Sequence, residues 1–196
     1  MTRGLPACAV FLCALPAAGD NAVLTPPVSS ALLSIDDVPS KAVLDNALGA
    51  ATALDDLLNV AGDHTVDLGI ELRAIRALPA YCPTPCGLGV AAHDGLIALI
   101  DGFTAAQDTP QDLLRLRAAV EALGTTRSKL VTDVDELVPL LDHASRDVRA
   151  TVARALGSVG NSAACAPLKA QDLNEPSPQV HNAINAAVQA LGRCGN

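Results

Sequence analysis

Six positions near the carboxyl end of this chain recur at a fixed offset. Val148, Val152, Ala155, Leu156, Val159 and Gly160 reappear 32 residues later as Val180, Ile184, Ala187, Val188, Leu191 and Gly192. The steps within each set are 4, 3, 1, 3 and 1. That rhythm places the apolar side chains on one stripe of an α-helix, whereas a strand of period two would scatter them over both faces. A glycine directly after the last apolar residue predicts a left-handed helix end. A helix with one apolar stripe must bury it on a neighbour, and a second copy of the same helix supplies that neighbour. The pattern therefore predicts an all-α repeat architecture.

Two earlier stretches echo the pattern. DLLRLRAAVEALG ends at Gly124, and DLGIELRAIRALP ends at Pro79, where proline replaces glycine as the stop. Each of the four is preceded by another helical stretch, at 41–62, 91–107, 133–144 and 163–174, giving four helix pairs of unequal length. Local signals mark the boundaries. Thr109-Pro110 places a cap and then a proline at the first helical position. Asp133 and Glu136 have capping-box spacing. NEPSP at 174–178 is a turn between the last two helices. Half the residues are hydrophobic, yet the aromatics are only Phe11, Tyr81 and Phe103. The core must be built from Leu, Val, Ile and Ala, which suits closely packed helices better than a β-sandwich.

The stretch DVRATVARALGSVGN (147–161) resembles the second helix of a HEAT repeat, particularly the short bacterial kind also found in phycobilin lyases. The resemblance is carried by residues 134–196 and fades over 36–127. It implies an α-solenoid of about four helix hairpins, each burying its apolar face on the next. A plain four-helix bundle or an irregular helical domain is the structural alternative. It also implies a binding or scaffolding module for a protein partner, with the second helices lining a concave face. A few HEAT-repeat proteins are enzymes, so a lyase-like or metal-dependent enzyme on the same scaffold is the alternative, and a capping piece of a larger assembly is a third.

Charge separates the two helices of each pair. Arg73, Arg76, Arg115, Arg117, Arg149 and Arg154 fall on the second helices, while the first helices carry mostly acids, among them Asp45, Asp55, Asp56, Asp94, Asp101, Asp135 and Glu136. The candidate partner-binding residues are Arg73, Arg76, Arg115 and Arg117, a cationic stripe suited to an acidic partner. Arg149 reads instead as a brace between adjacent repeats. The formal net charge of −8 argues against nucleic acid as a partner.

The amino terminus has the three-part form of a secretory signal. One early cation, Arg3, is followed by an apolar run from Leu5 to Leu15 and then by Ala17-Ala18-Gly19. That predicts a signal peptide at 1–19, a tail at 20–35 and a HEAT-repeat domain at 36–196. The expected location is periplasmic or secreted. The apolar run is far shorter than the ~20 residues a membrane span requires, and no other segment qualifies. Leu5-Pro6-Ala7-Cys8 resembles a lipoprotein box, but only seven residues precede its cysteine. Removal of the signal would leave Cys82, Cys86, Cys165 and Cys194, an even set that predicts disulfides. YCPTPCG holds Cys82 and Cys86 as a loop staple; redox and metal roles are the weaker alternatives, because a redox pair prefers two intervening residues and no further ligand lies nearby. Cys165 opens the first helix of the last hairpin and Cys194 follows its second helix, so antiparallel packing brings them together.

No motif for chemistry stands out. The HEAT-repeat enzyme family deoxyhypusine hydroxylase uses His-Glu pairs to hold iron, whereas His64, His93, His143 and His181 are followed here by Thr65, Asp94, Ala144 and Asn182. Each histidine reads as a surface or cap residue. The carboxylates at 133–136 lack the glycine and further oxygens of a calcium loop. Phosphate-binding loops and nucleophile elbows have no counterpart. No cofactor is expected.

Overall fold

The computed structural model describes residues 24–33, 38–83, 86–106, 109–192 and 194–195. Their helices are α1 (Pro26–Leu32), α2 (Lys41–Leu48), α3 (Ala53–Ala61), α4 (Leu68–Ala77), α5 (Ala91–Ala105), α6 (Pro110–Thr125), α7 (Val131–Leu137), α8 (Arg146–Val159), α9 (Cys165–Asn174) and α10 (Pro178–Leu191). Short 3-10 turns extend α4 and α7 and lead into α9. No strand occurs among the described residues. The protein is an all-α solenoid. Four hairpins pair α3 with α4, α5 with α6, α7 with α8 and α9 with α10, and the second helices α4, α6, α8 and α10 stack in that order.

The repeated stripe is buried as its spacing requires. Val148, Val152, Ala155, Leu156 and Val159 of α8 are in the core, as are Val180, Ile184 and Ala187 of α10. Each fully buried Leu, Ile or Val contributes about 1.5–3 kcal/mol. Ala150 and Ala153 are buried too, because α8 is covered on both sides, by α6 and by α10. Gly160 and Gly192 adopt left-handed conformations and end α8 and α10. Thr109 caps α6 by accepting from the Asp112 amide at 3.2 Å, with Pro110 first in the helix.

Four expectations are corrected. The first helix of the first pair splits at Gly49, whose φ of 87° ends α2, and Thr52 donates back to the Leu48 carbonyl before α3 begins. The stretch expected as a tail at 20–35 contributes α1, which packs on α2 and α4 and buries Val28 and Leu32 in the common core. The expected signal at 1–19 lies outside the described residues. Asp133 is no cap: α7 starts two residues earlier, and Asp133 is buried inside it, accepting from the Ser128 hydroxyl. Finally, α6 does not stop at Gly124 but runs on to Thr125.

Gly124 has a different purpose. A Cβ built there would lie 2.9 Å from the Ala155 Cα of α8. Gly157, one repeat further, repeats the arrangement at 2.7 Å from the Ala187 Cα of α10. The two glycines are notches that let successive second helices touch backbone to side-chain-free backbone.

These notches reverse the usual effect of a helical glycine. Glycine to alanine inside a helix ordinarily stabilises by about 1 kcal/mol. Gly102, in α5 with nothing within 4 Å of its would-be Cβ, should show that gain when changed to alanine. Gly157→Ala forces helix backbones apart, and overpacking of this kind costs about 1–3 kcal/mol. Urea denaturation should therefore show Gly102→Ala more stable and Gly157→Ala less stable than the parent; a stabilised Gly157→Ala would show that the α8–α10 contact is loose.

Candidate binding cleft

The arginines of the second helices divide into braces and exposed groups. Arg115 of α6 is buried, with its Nε 2.7 and 2.8 Å from the two carboxylate oxygens of Glu71 on α4 and its Nη1 3.0 Å from Asp112. Glu71 is fully buried and also meets His64 Nδ1 at 3.1 Å. Arg149 of α8 donates through Nε and Nη2 to both oxygens of Glu175, each at 2.8 Å, and through Nη1 to the carbonyls of His143 and Ala144. The Arg149 guanidinium holds the Glu175 carboxyl down at about 2, against the opposing effect of burial. Arg149 thus braces neighbouring repeats as its sequence context suggests. Arg115 does the same, so its assignment to the partner-binding stripe is corrected: its Nε and Nη1 are engaged by Glu71 and Asp112 and its side chain is buried. Arg73 is half-buried, donates to the Gly69 carbonyl at 3.3 Å and takes no part in the cleft described next.

Arg76 and Arg117, the other two residues of the stripe, do come together. They line a cavity of about 330 Å³ between α4, α6 and α8, and Arg154 joins them from α8. Helical spacing explains the wall. Arg117, Glu121 and Thr125 succeed one another at steps of four on α6, and Thr151, Arg154 and Ser158 follow at three and four on α8. An offset of 33 that aligns Gly124 with Gly157 also aligns Glu121 with Arg154 and Thr125 with Ser158. The close approach at the glycine notches thus sets the same faces of α6 and α8 side by side.

The cleft is rich in donors and poor in acceptors. Its lining includes three guanidiniums and the Ser158 hydroxyl against one carboxylate, Glu121; the Thr125 and Thr151 hydroxyls also line it but donate to the carbonyls of Glu121 and Asp147. Glu121 is exposed and lies 3.6 Å from Arg76 Nε. Arg154 Nη2 donates to Thr151 Oγ1 at 3.2 Å. The Nε of Arg117 is buried and has no hydrogen-bond partner among the described residues. A second hollow of about 440 Å³ shares Arg154 and Ser158 with the first and adds Arg127 and the alanines of α10. Arg154 and Arg127 are the residues that the stripe in the sequence did not single out for binding. Aligning the repeats on their internal glycines instead of their capping glycines would have found Arg154.

A smaller cavity of about 220 Å³ has the opposite character, with Leu88, Ile97, His93, Asp94, Asp133 and Glu136 in its wall. His93 is not at the surface, as the sequence suggests, but buried, with Nε2 2.9 Å from Asp133 and Nδ1 3.3 Å from Asp94. Burial, together with the carboxylates of Asp101 and Asp133, raises the Glu136 carboxyl above its ordinary range. Among the described residues no group of three or more His, Cys, Asp or Glu side chains is placed to hold a metal ion.

Cys82 and Cys86 have Cα atoms 5.1 Å apart, and Cys165 and Cys194 5.2 Å, both at disulfide distance. Tyr81, beside the first pair, donates to Asp45 of α2 at 3.0 Å. Beside the second pair, Lys169 donates to the carbonyls of Cys194 and Gly195, holding the chain end against α9. No helix of the described residues is long and apolar enough to cross a membrane.

Stacked hairpins with an open, cation-lined face define a helical-repeat protein. Residues 98–192, just under half of the chain, match the family model described as HEAT repeats. The match spans α6 to α10 and most of α5. No curated protein matches the chain.

The Arg149–Glu175 pair makes a prediction in pH. Glu175 titrates near 2 when folded and near 4.5 when exposed, so its contribution is complete above about 4.5 and is lost as pH falls towards 2. Arg149→Met leaves a buried, unpaired carboxylate and should cost about 3–5 kcal/mol at neutral pH. The deficit should shrink on acidification below about 4.5, because protonation of the unfolded carboxyl then removes the pair's contribution to the parent's stability. Denaturant titrations at pH 7 and pH 3 check both parts.

Proposed function

We propose that this protein is an exported HEAT-repeat module that docks a protein partner through the face of α4, α6, α8 and α10, and that the partner presents an acidic segment to Arg76, Arg117 and Arg154. HEAT repeats generally mediate protein–protein interaction or scaffolding, and the observation that carries this reading is the cleft itself. Three guanidiniums share one cavity with a single carboxylate, on a chain whose formal net charge is −8. The acidic body opposes an acidic partner at long range, and the cleft attracts it within a Debye length of ~8 Å at physiological salt. Arg117 dominates, because exposed ion pairs contribute about 0.2–1 kcal/mol each, whereas hydrogen bonds to charged, partly buried groups contribute about 1.5–3. The short repeats resemble those of phycobilin lyases, and that likeness extends to repeat type only.

Binding of a fluorescent glutamate-rich peptide, read by anisotropy, tests the docking surface. Combined Arg76→Ala, Arg117→Ala and Arg154→Ala changes should abolish binding and leave helicity intact. Arg73→Ala should leave binding unchanged, and added salt should weaken it. Equal binding by the triple variant and the parent would remove the cleft from consideration.

Export is supported by the signal-like amino terminus and by the two cysteine pairs at disulfide distance. Closing the loop from Cys165 to Cys194 would stabilise by about 3–4 kcal/mol in the chain-entropy model and would pin the last hairpin, which has no further repeat beyond it among the described residues. Non-reducing peptide mapping of protein made in an oxidising compartment should recover Cys82–Cys86 and Cys165–Cys194. Thiols at all four positions, or a crossed pair such as Cys86–Cys165, would overturn the assignment.

A further inference from the structure

We infer that the cleft between α4, α6 and α8 recognises a phosphate monoester, a chemistry more specific than general acidity. The inference rests on the docking surface proposed above and narrows what occupies it.

The supply of donors exceeds what a carboxylate can use. One carboxylate has two oxygens and a single charge, and one guanidinium meets both oxygens and balances that charge through a two-bond fork. Glu175 meets Arg149 in this way, Glu71 takes the Arg115 Nε on both of its oxygens, and neither carboxylate meets a second guanidinium. The cleft presents three guanidiniums from three successive helices, with only Glu121 to offset them, and Glu121 reaches no closer than 3.6 Å to Arg76. The Arg117 Nε is already desolvated and has no acceptor among the described residues. Ser158 adds a neutral donor on the same wall, whereas the Thr125 and Thr151 hydroxyls already donate to the carbonyls of Glu121 and Asp147.

A phosphate monoester matches this arrangement. It carries about −1.5 to −2 charges at neutral pH and three terminal oxygens, each able to accept more than one hydrogen bond. Three oxygens can face three guanidiniums at once, which a carboxylate cannot do. The cavity, at about 330 Å³, is large enough for the phosphate and the first atoms of whatever carries it. The same chemistry could arrive on a phosphorylated side chain of the protein partner or as a small phosphate ester.

Calorimetric titration of the full chain at low ionic strength tests this with four probes: inorganic phosphate, acetate, a phosphoserine peptide without acidic residues, and its unphosphorylated form. Phosphate should bind at least tenfold more tightly than acetate. Arg117→Ala should weaken phosphate at least tenfold, and Arg117→Lys should fall between that variant and the parent, because lysine keeps the charge and loses the fork. Arg146→Ala, an exposed arginine outside the cleft, should leave binding unchanged. A phosphoserine peptide that binds more tightly than inorganic phosphate places the group on the partner protein; equal affinities assign it to a small ester. Phosphate and acetate binding alike, or phosphate binding unaffected by Arg117→Ala, overturns the inference. If the glutamate-rich peptide still binds in that case, the docking surface stands and only its phosphate specificity falls.

Discussion

The stack depends on two places where helix backbones meet with no side chain between them. Gly124 of α6 lies against Ala155 of α8, and Gly157 of α8 lies against Ala187 of α10. Contacts this close fix both the separation and the axial register of successive second helices, because a helix cannot slide without driving a Cβ into its neighbour. With register fixed, the apolar stripes meet along their length and the core closes without aromatic filler. Phe103 is the one aromatic side chain buried among the described residues. A chain poor in large side chains gains its packing density from proximity instead of volume.

The same register decides what each arginine does. Glu71 is 44 residues from Arg115, and Glu175 is 26 from Arg149. Once hairpins stack, these carboxylates lie beside guanidiniums of an adjoining hairpin and are shielded from water there. A buried charge without a partner is costly, so the pairs lock neighbouring repeats as firmly as apolar contacts do. Arg76, Arg117 and Arg154 arrive on the other side of the same helices with one carboxylate among them. Bracing pairs and cleft lining are thus divided between residues of one helix stack, and the glycine notches hold both in place.

Much of this was legible in local pattern. The apolar spacing gave the helices, and the glycines at 160 and 192 gave two of their ends, because both depend on residues within one or two turns. The proximity of Cys165 and Cys194 followed from hairpin geometry alone. Gly124 reads in sequence as a helix end, since a glycine after an apolar run looks the same whether it takes a left-handed φ or receives a neighbouring helix. Asp133 reads in sequence as a cap and His93 as a surface group, since the two partners lie on different helices, 40 residues apart.

The sequence by itself determined an all-α chain of repeated hairpins and put arginines on the second helix of each. Periodicity is a local property, and the stripe must be buried wherever the helix packs. Only the tertiary structure decided that Arg115 braces while Arg117 and Arg154 line a cleft, and that Arg73 does neither. On an isolated helix these residues differ by a rotation of one or two positions, which carries no label. Stacking turns that rotation into burial beside a carboxylate or exposure to a cavity, because it sets which neighbouring helix each side chain meets.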